Sequence, residues 1–121
     1  AYASYDENVI IIAHPLELKA GAIALMQAVS TVDAAASLGK RVRVAGVRQT
    51  WRRGATARGD YIYFLSLEDL EGLLDVVIYG DVYRRDRLAL DGGGPFVVEG
   101  TVEFDPERNE PFLRAERIIK V

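Results

Sequence analysis

Polar and apolar positions alternate along residues 41–45, with Val42 and Val44 on one side and Arg41 and Arg43 on the other. A period of two is the mark of a strand with one buried face. Gly46 breaks the alternation. A lone glycine inside a strand marks a bulge or sharp bend, so this strand is expected to coil there, continue as "VRQTWRR" and serve two sheets at once. "GATARGD" supplies turn chemistry, and "YIYFLSLED", rich in aromatic and β-branched residues, reads as the second strand. "LEG" turns the chain into a third, "LLDVVIYG". "DVYRRDRLAL" has the length of two to three helical turns with Asp81 as its cap, and "DGGGP" ends it as a hinge. The fourth strand is "PFVVEGTVEF", where Gly100 marks another bend, and "DPERNEP" leads into the fifth, "FLRAERIIKV".

Upstream the signals are mixed. Residues 9–13 form an apolar, β-like run that ends where Pro15 holds His14 extended, and "KAGAIALMQAV" is a stretch of small residues. Residues 1–29 read as an N-terminal arm, and the apolar run is suited to adding a strand to an open barrel edge, within one chain or across a dimer. Ser30 or Thr31 is positioned to cap a short helix through Leu38, with Asp33 in its first turn and Gly39 as a stop. From residue 30 to 121 the order is short helix, three strands, helix, two strands. Five strands, a helix between the third and fourth, and a glycine bend in the first match an all-β fold with a short helix, the five-stranded Greek-key barrel called the OB-fold.

The 121 residues suit one domain with an arm, and no apolar run, that of residues 9–13 included, exceeds five residues, far too short to span a membrane. The absence of cysteine excludes disulfides and thiolate metal sites, and a single histidine excludes most zinc sites. A soluble, cytoplasmic chain without a cofactor is expected. Because it begins "AYASYDENVI", without an initiator methionine or a secretory signal pattern, an excised fragment is expected too.

Charge changes the picture. The formal net charge is -3, yet residues 40–59 hold seven basic residues (Lys40, Arg41, Arg43, Arg48, Arg52, Arg53, Arg58) and no acid. An OB-fold takes its ligand on the face of its second and third strands, between the loops joining strands one to two and four to five. Those loops are expected at residues 52–60 and 105–111, so the basic cluster falls on the site. Arg48, Trp51, Arg52, Arg53, Arg58, Tyr61, Tyr63 and Arg108 are the candidate binding residues. Guanidinium groups alternating with aromatic rings suit single-stranded nucleic acid, whose phosphates seek cations and whose unstacked bases seek flat π surfaces. Two bland readings stand beside this one: the arginines as a solvated face, and Tyr61 or Tyr63 as barrel core. Asp105, Glu107 and Glu110 oppose phosphate in the second loop, where only Arg108 favours it.

Other motifs carry less. "DGGGP" lacks the lysine and Ser/Thr of a phosphate-binding loop, and Glu68, Asp69 and Glu71 read as a solvated turn rather than metal ligands. His14 has no second histidine or cysteine to share a metal, and no nucleophile–base pair is visible.

The segment "YFLSLEDLEGLLDVVIYGDVYRR", residues 63–85, resembles the nucleic-acid-binding OB domain in the C-terminal part of bacterial family C DNA polymerases, the replicative polymerase III alpha subunit and its error-prone relatives. Those proteins carry a similar F-x-x-L-E-D-x-x-G, here from Phe64 to Gly72, then an apolar strand and a V-Y/F helix. "VEGTVEF" and "LRAERI" look like the family's closing strands, and "AHPLE" at residues 13–17 is similar to its G-H-P-L, with Ala13 in place of the glycine. Aminoacyl-tRNA synthetase anticodon-binding domains share the V-x-V-x-G start seen from Val42 to Gly46. The polymerase resemblance implies a module that contacts single-stranded template DNA, with the catalytic aspartates in a palm domain absent from this chain. It leaves two other roles open, a protein-interaction module docking a replication partner and a tRNA-reading domain.

Overall fold

The computed structural model describes residues 3–6, 9–12, 15–18 and 20–121. Ala13 and His14 lie outside them, as does the first half of the "AHPLE" motif. Seven strands are described: β1 (Ala3–Asp6), β2 (Val9–Ile12), β3 (Arg41–Ala55), β4 (Tyr61–Glu68), β5 (Leu73–Tyr79), β6 (Phe96–Asp105) and β7 (Glu110–Lys120). With them are four helices, α1 (Pro15–Leu18), α2 (Ala20–Leu25), α3 (Thr31–Ala35) and α4 (Gly80–Asp86), and a 3-10 segment Arg87–Gly93. β3 to β7 close a barrel in the order β3-β4-β5-β7-β6, with β5 and β7 parallel and the other pairs antiparallel. This is the OB-fold expected from the pattern, helix between third and fourth barrel strands included.

Closure depends on β3 working twice. Arg41 to Gly46 pair with β6, and Val47 to Ala55 pair with β4, so the handover falls at Gly46. A side chain there would meet Leu67 Cγ at 2.6 Å and the Glu68 carbonyl at 2.7 Å, which is why the bend takes glycine. The second expected bend is also present: the register of β6 against β7 slips between Glu99 and Gly100, leaving Glu116 as the extra residue of a bulge. Inside the barrel, Val44, Leu65, Leu67, Leu74, Val76, Ile78, Phe96, Val98, Val102 and Leu113 form one buried core.

Several elements differ from the sequence reading. Ser30 caps α3, accepting a hydrogen bond from Asp33 N at 3.0 Å, but the helix stops at Ala35 rather than Leu38. Asp81 does not cap α4: the helix starts at Gly80 directly from the end of β5, with Tyr79 in the cap position and no side-chain cap bond. The α-helix is short because the chain tightens into the 3-10 segment after Asp86, whose carboxylate accepts a hydrogen bond from Ile118 N at 2.9 Å and ties the helix to β7. The closed barrel leaves no open edge for residues 9–12 of the apolar run, and β2 pairs antiparallel with β1 instead. Leu16 of α1 is buried in a second apolar cluster with Ala45 and Val97, against which Ile23, Met26, Ala28, Ile119 and Val121 pack. Among the described residues no helix is long and apolar enough to cross a membrane.

The acidic turn between β4 and β5 is a structural clasp. Asp69 accepts hydrogen bonds from Thr31 N (2.7 Å), Thr31 Oγ1 (2.8 Å), Glu71 N (2.9 Å) and Gly72 N (3.0 Å), joining α3 to the turn. Burial pushes this carboxyl up, but the four donors outweigh burial and hold it below the ordinary value of 3.8. A carboxyl depressed by folding stabilises the fold fully above its unfolded pKa and loses that contribution as pH falls through its folded value. Asp69→Asn is therefore expected to lower Tm at neutral pH, with a gap from the parent protein that narrows on acidification below pH 3.8. Thermal melts from pH 7 to 3 test this, and a constant gap across that range contradicts the clasp.

Candidate functional site

The six arginines of the cluster divide into two groups, with Lys40 just ahead of them. Arg41 and Arg43 converge on Glu99, a buried carboxylate 2.5 and 2.7 Å from them, and Arg41 also pairs with Glu116 at 3.0 Å. The hydrogen bond from Arg43, aided by the charge of Arg41, holds the Glu99 carboxyl below its usual range. That end of the cluster neutralises a buried acid of the neighbouring strand. The other end, Arg48, Arg52, Arg53 and Arg58, runs along the hairpin of β3 and β4.

β3 continues to Ala55, so Arg52 and Arg53 belong to a strand and only residues 56–60 form the loop. On a strand, successive side chains point to opposite faces. Arg52 therefore stands opposite Phe64 while Arg53 stands opposite Tyr63, and the expected single site divides in two.

The outer face is a groove of about 750 Å³ across β4 and β5, bounded by the β3–β4 hairpin and the β6–β7 loop. Ile62, Phe64, Tyr79, Phe104 and Phe112 line it, with Arg52 and Arg108 as its cations. The Arg52 guanidinium lies over the Phe64 ring, 4.2 Å from its centroid, and has no carboxylate partner among the described residues. Tyr79 and Phe104 are 42% and 46% exposed, leaving ring surface open to a ligand. A polar ladder crosses the floor: Thr50 donates to Ser66 at 2.9 Å, and Ser66 to Asp75 at 3.2 Å. Arg108 joins its end, 3.2 Å from Asp75 and 2.8 Å from Glu110. Arg108 is thus held by two acids, whereas among the described residues Arg52 is held by a ring alone.

Trp51, Arg53, Tyr61 and Tyr63 share the other side, the one that faces the barrel interior further along β4. Tyr63 is buried and stacks on Tyr83 of α4 at 3.8 Å and on Trp51 at 5.4 Å, so protein already occupies its ring faces. Arg48 reaches toward the Trp51 ring (5.6 Å) and the Leu90 carbonyl (3.5 Å), and Arg53 lies 4.4 Å from the centre of the exposed Tyr61 ring. Arg58 is exposed at the hairpin tip. Sequence reasoning did not single out Phe64, Tyr79, Phe104 or Phe112. A signal was available: Ser66 and Glu68 share the parity of Ile62 and Phe64, which marks that face of β4 as the outer one.

No protein-family model matches the chain. The error-prone DNA polymerase of Rhodopseudomonas palustris is 31% identical over 108 residues, covering 88% of this chain and 9% of that protein. The chain is homologous to one segment of the error-prone DNA polymerases. Their counterpart in Pseudomonas fluorescens is 36% identical over 95 residues (78% of this chain, 9% of the polymerase), and that of Ruegeria pomeroyi 37% over 92 residues (75% and 8%). The resemblance carried by residues 63–85 is thereby borne out, and the chain spans about a tenth of the length of the polymerases it matches. Among solved structures, asparaginyl-tRNA synthetase from Pyrococcus horikoshii superposes with a TM-score of 0.59 at 22% identity, over 78% of this chain and 22% of that one. A second structure of that synthetase gives 0.54, over 72% of this chain and 21% of that one. The likeness is one of fold.

Proposed function

We propose that this domain binds single-stranded nucleic acid in the groove across β4 and β5, and that within an error-prone DNA polymerase it holds single-stranded DNA template. The observation that carries the reading is Arg52 stacked on Phe64 at the edge of a groove whose Tyr79 and Phe104 rings are exposed. A guanidinium without an acidic partner among the described residues is ready for phosphate, and open ring faces are ready for bases, each stack contributing about 1–3 kcal/mol. Asp75, Asp105 and Glu110 in the same groove oppose phosphate, so binding by the isolated domain is weak and sensitive to salt. DNA synthesis belongs, on this reading, to the remainder of the polymerase, in the cytoplasm where the template is copied. This domain contributes a hold on the strand and no chemistry.

Fluorescence anisotropy of labelled oligo-dT, titrated at low and physiological salt beside RNA of equal length, tests the reading. The expected result is micromolar binding to DNA that falls steeply with salt. Absence of binding at low salt overturns it in favour of a protein-docking barrel, and a clear preference for folded RNA overturns it in favour of a tRNA reader.

A further inference from the structure

The β3–β4 hairpin presents two functional-looking faces, and only one lines the groove. Its second face carries a band of guanidinium groups and rings: Arg48 beside Trp51, then Tyr63 and Tyr83 beneath, then Tyr61 under Arg53. Trp51 and Tyr61 are 37% and 52% exposed. Arg84 of α4 extends the band. A side chain added at Gly80 would sit 3.1 Å from Arg84 Nη1 and 3.3 Å from the Tyr61 carbonyl oxygen, so this guanidinium crosses the glycine to the base of the hairpin. Among the described residues neither Arg53 nor Arg84 is in an ion pair, in contrast to the neighbouring Arg85, which holds Asp86 at 2.9 Å. Besides Asp86, which Arg85 holds, the acids nearest the band in sequence are Asp60 at the loop and Asp81 in the first turn of α4.

We propose that a nucleic-acid strand longer than the groove continues over the β3–β4 hairpin onto this second face, where Arg53, Tyr61, Trp51 and Arg84 form a second contact track. Unpaired cations set between exposed rings match the alternation of phosphate and base along a single strand, whereas an acidic peptide leaves the rings without partners. The two tracks adjoin because Arg52 and Arg53 are consecutive residues with opposite faces. This inference rests on the groove reading and adds to it a longer footprint.

The test compares oligo-dT of about 5 and about 15 nucleotides, spanning the usual site sizes of an OB-fold, on the parent chain and on Arg53→Ala/Arg84→Ala. Both arginines are exposed, so the variant keeps its fold, and a Tm within about 2 °C of the parent's verifies this. The variant is expected to bind the short oligomer within twofold of the parent and the long one about tenfold more weakly, with a salt slope on the long one reduced by roughly 1.4, the value for two phosphate contacts. Arg53→Lys/Arg84→Lys recovers most of the loss. Equal binding of the long oligomer by parent and alanine variant overturns the second track, as does an equal loss on both lengths. Failure of the groove reading looks different, since the parent itself then does not bind the short oligomer.

Discussion

Gly100→Ala is expected to cost about 3 kcal/mol or more, enough to lower Tm by roughly 15 °C or to prevent folding. The added methyl would lie 2.1 Å from the Arg114 carbonyl oxygen, 2.9 Å from its carbon and 3.1 Å from Ala115 Cα, all of them backbone atoms of β7. A flexible side chain moves aside from such a contact; a paired strand does not. Relief requires β6 and β7 to part at the bulge, where ten residue pairs hold the longest ladder of the barrel and where Val98, Val102 and Leu113 meet in the core. Small domains are stable by only about 5–15 kcal/mol, so one such clash is a large share of the total. Gly21→Ala is the control: a Cβ there meets nothing within 4 Å, and its melt is expected to match the parent's. Equal melts for the two variants contradict the close approach at the bulge.

The second large effect is on binding. Arg52→Ala/Phe104→Ala is expected to weaken oligo-dT binding by about 30-fold or more, combining one lost phosphate contact with one lost base stack of about 1–3 kcal/mol. Both side chains are at the surface of the groove, Phe104 being 46% exposed, so the barrel core does not feel their removal. Arg52→Ala alone is expected to flatten the salt dependence by about 0.7, the increment for one phosphate on a single strand. Anisotropy titrations at several salt concentrations measure both quantities. An affinity within twofold of the parent's for the double variant, with an unchanged salt slope, places the ligand elsewhere.

Much of the fold was legible because it rests on rules that act locally. Gly46 and Gly100 interrupt strict alternation, and the structure uses them for the handover of β3 and the bulge of β7. Ser30 has the chemistry of a cap and serves as one. Asp81 has the same chemistry but the wrong position: β5 stays extended to Tyr79 and the helix begins one residue later, leaving Asp81 inside the first turn. The short end of α3 was not legible either, since Ala36 and Ser37 are compatible with a longer helix and it is the turn toward β3 that ends it.

The candidate site was legible as a charge cluster but not as a geometry. Counting arginines joins Arg41 and Arg43 to Arg52 and Arg53, whereas pairing across strands assigns the first two to Glu99, which lies 56 residues beyond Arg43 in sequence. That partner becomes visible only when β6 is laid beside β3. Alternation separates Arg52 from Arg53 as surely as it separates Val42 from Arg43, and the polar pair Ser66 and Glu68 identifies which set of β4 looks outward. Alternation leaves Tyr63 open between a ring for unstacked bases and barrel core, and the structure decides for the core, where the helix that closes the barrel end brings Tyr83 onto it. A contact between β4 and α4, twenty residues apart, has no local signature in the sequence.

The most direct test of the groove reading is a backbone amide NMR titration of the 121-residue chain with a short oligo-dT at low salt. The expected result is shifts concentrated at Arg52, Ile62, Phe64, Tyr79, Phe104 and Phe112, with little change at Leu70, Leu73 and the β1–β2 hairpin on the rest of the molecule. Shifts absent from β4 and β5 and gathered on another surface would contradict it.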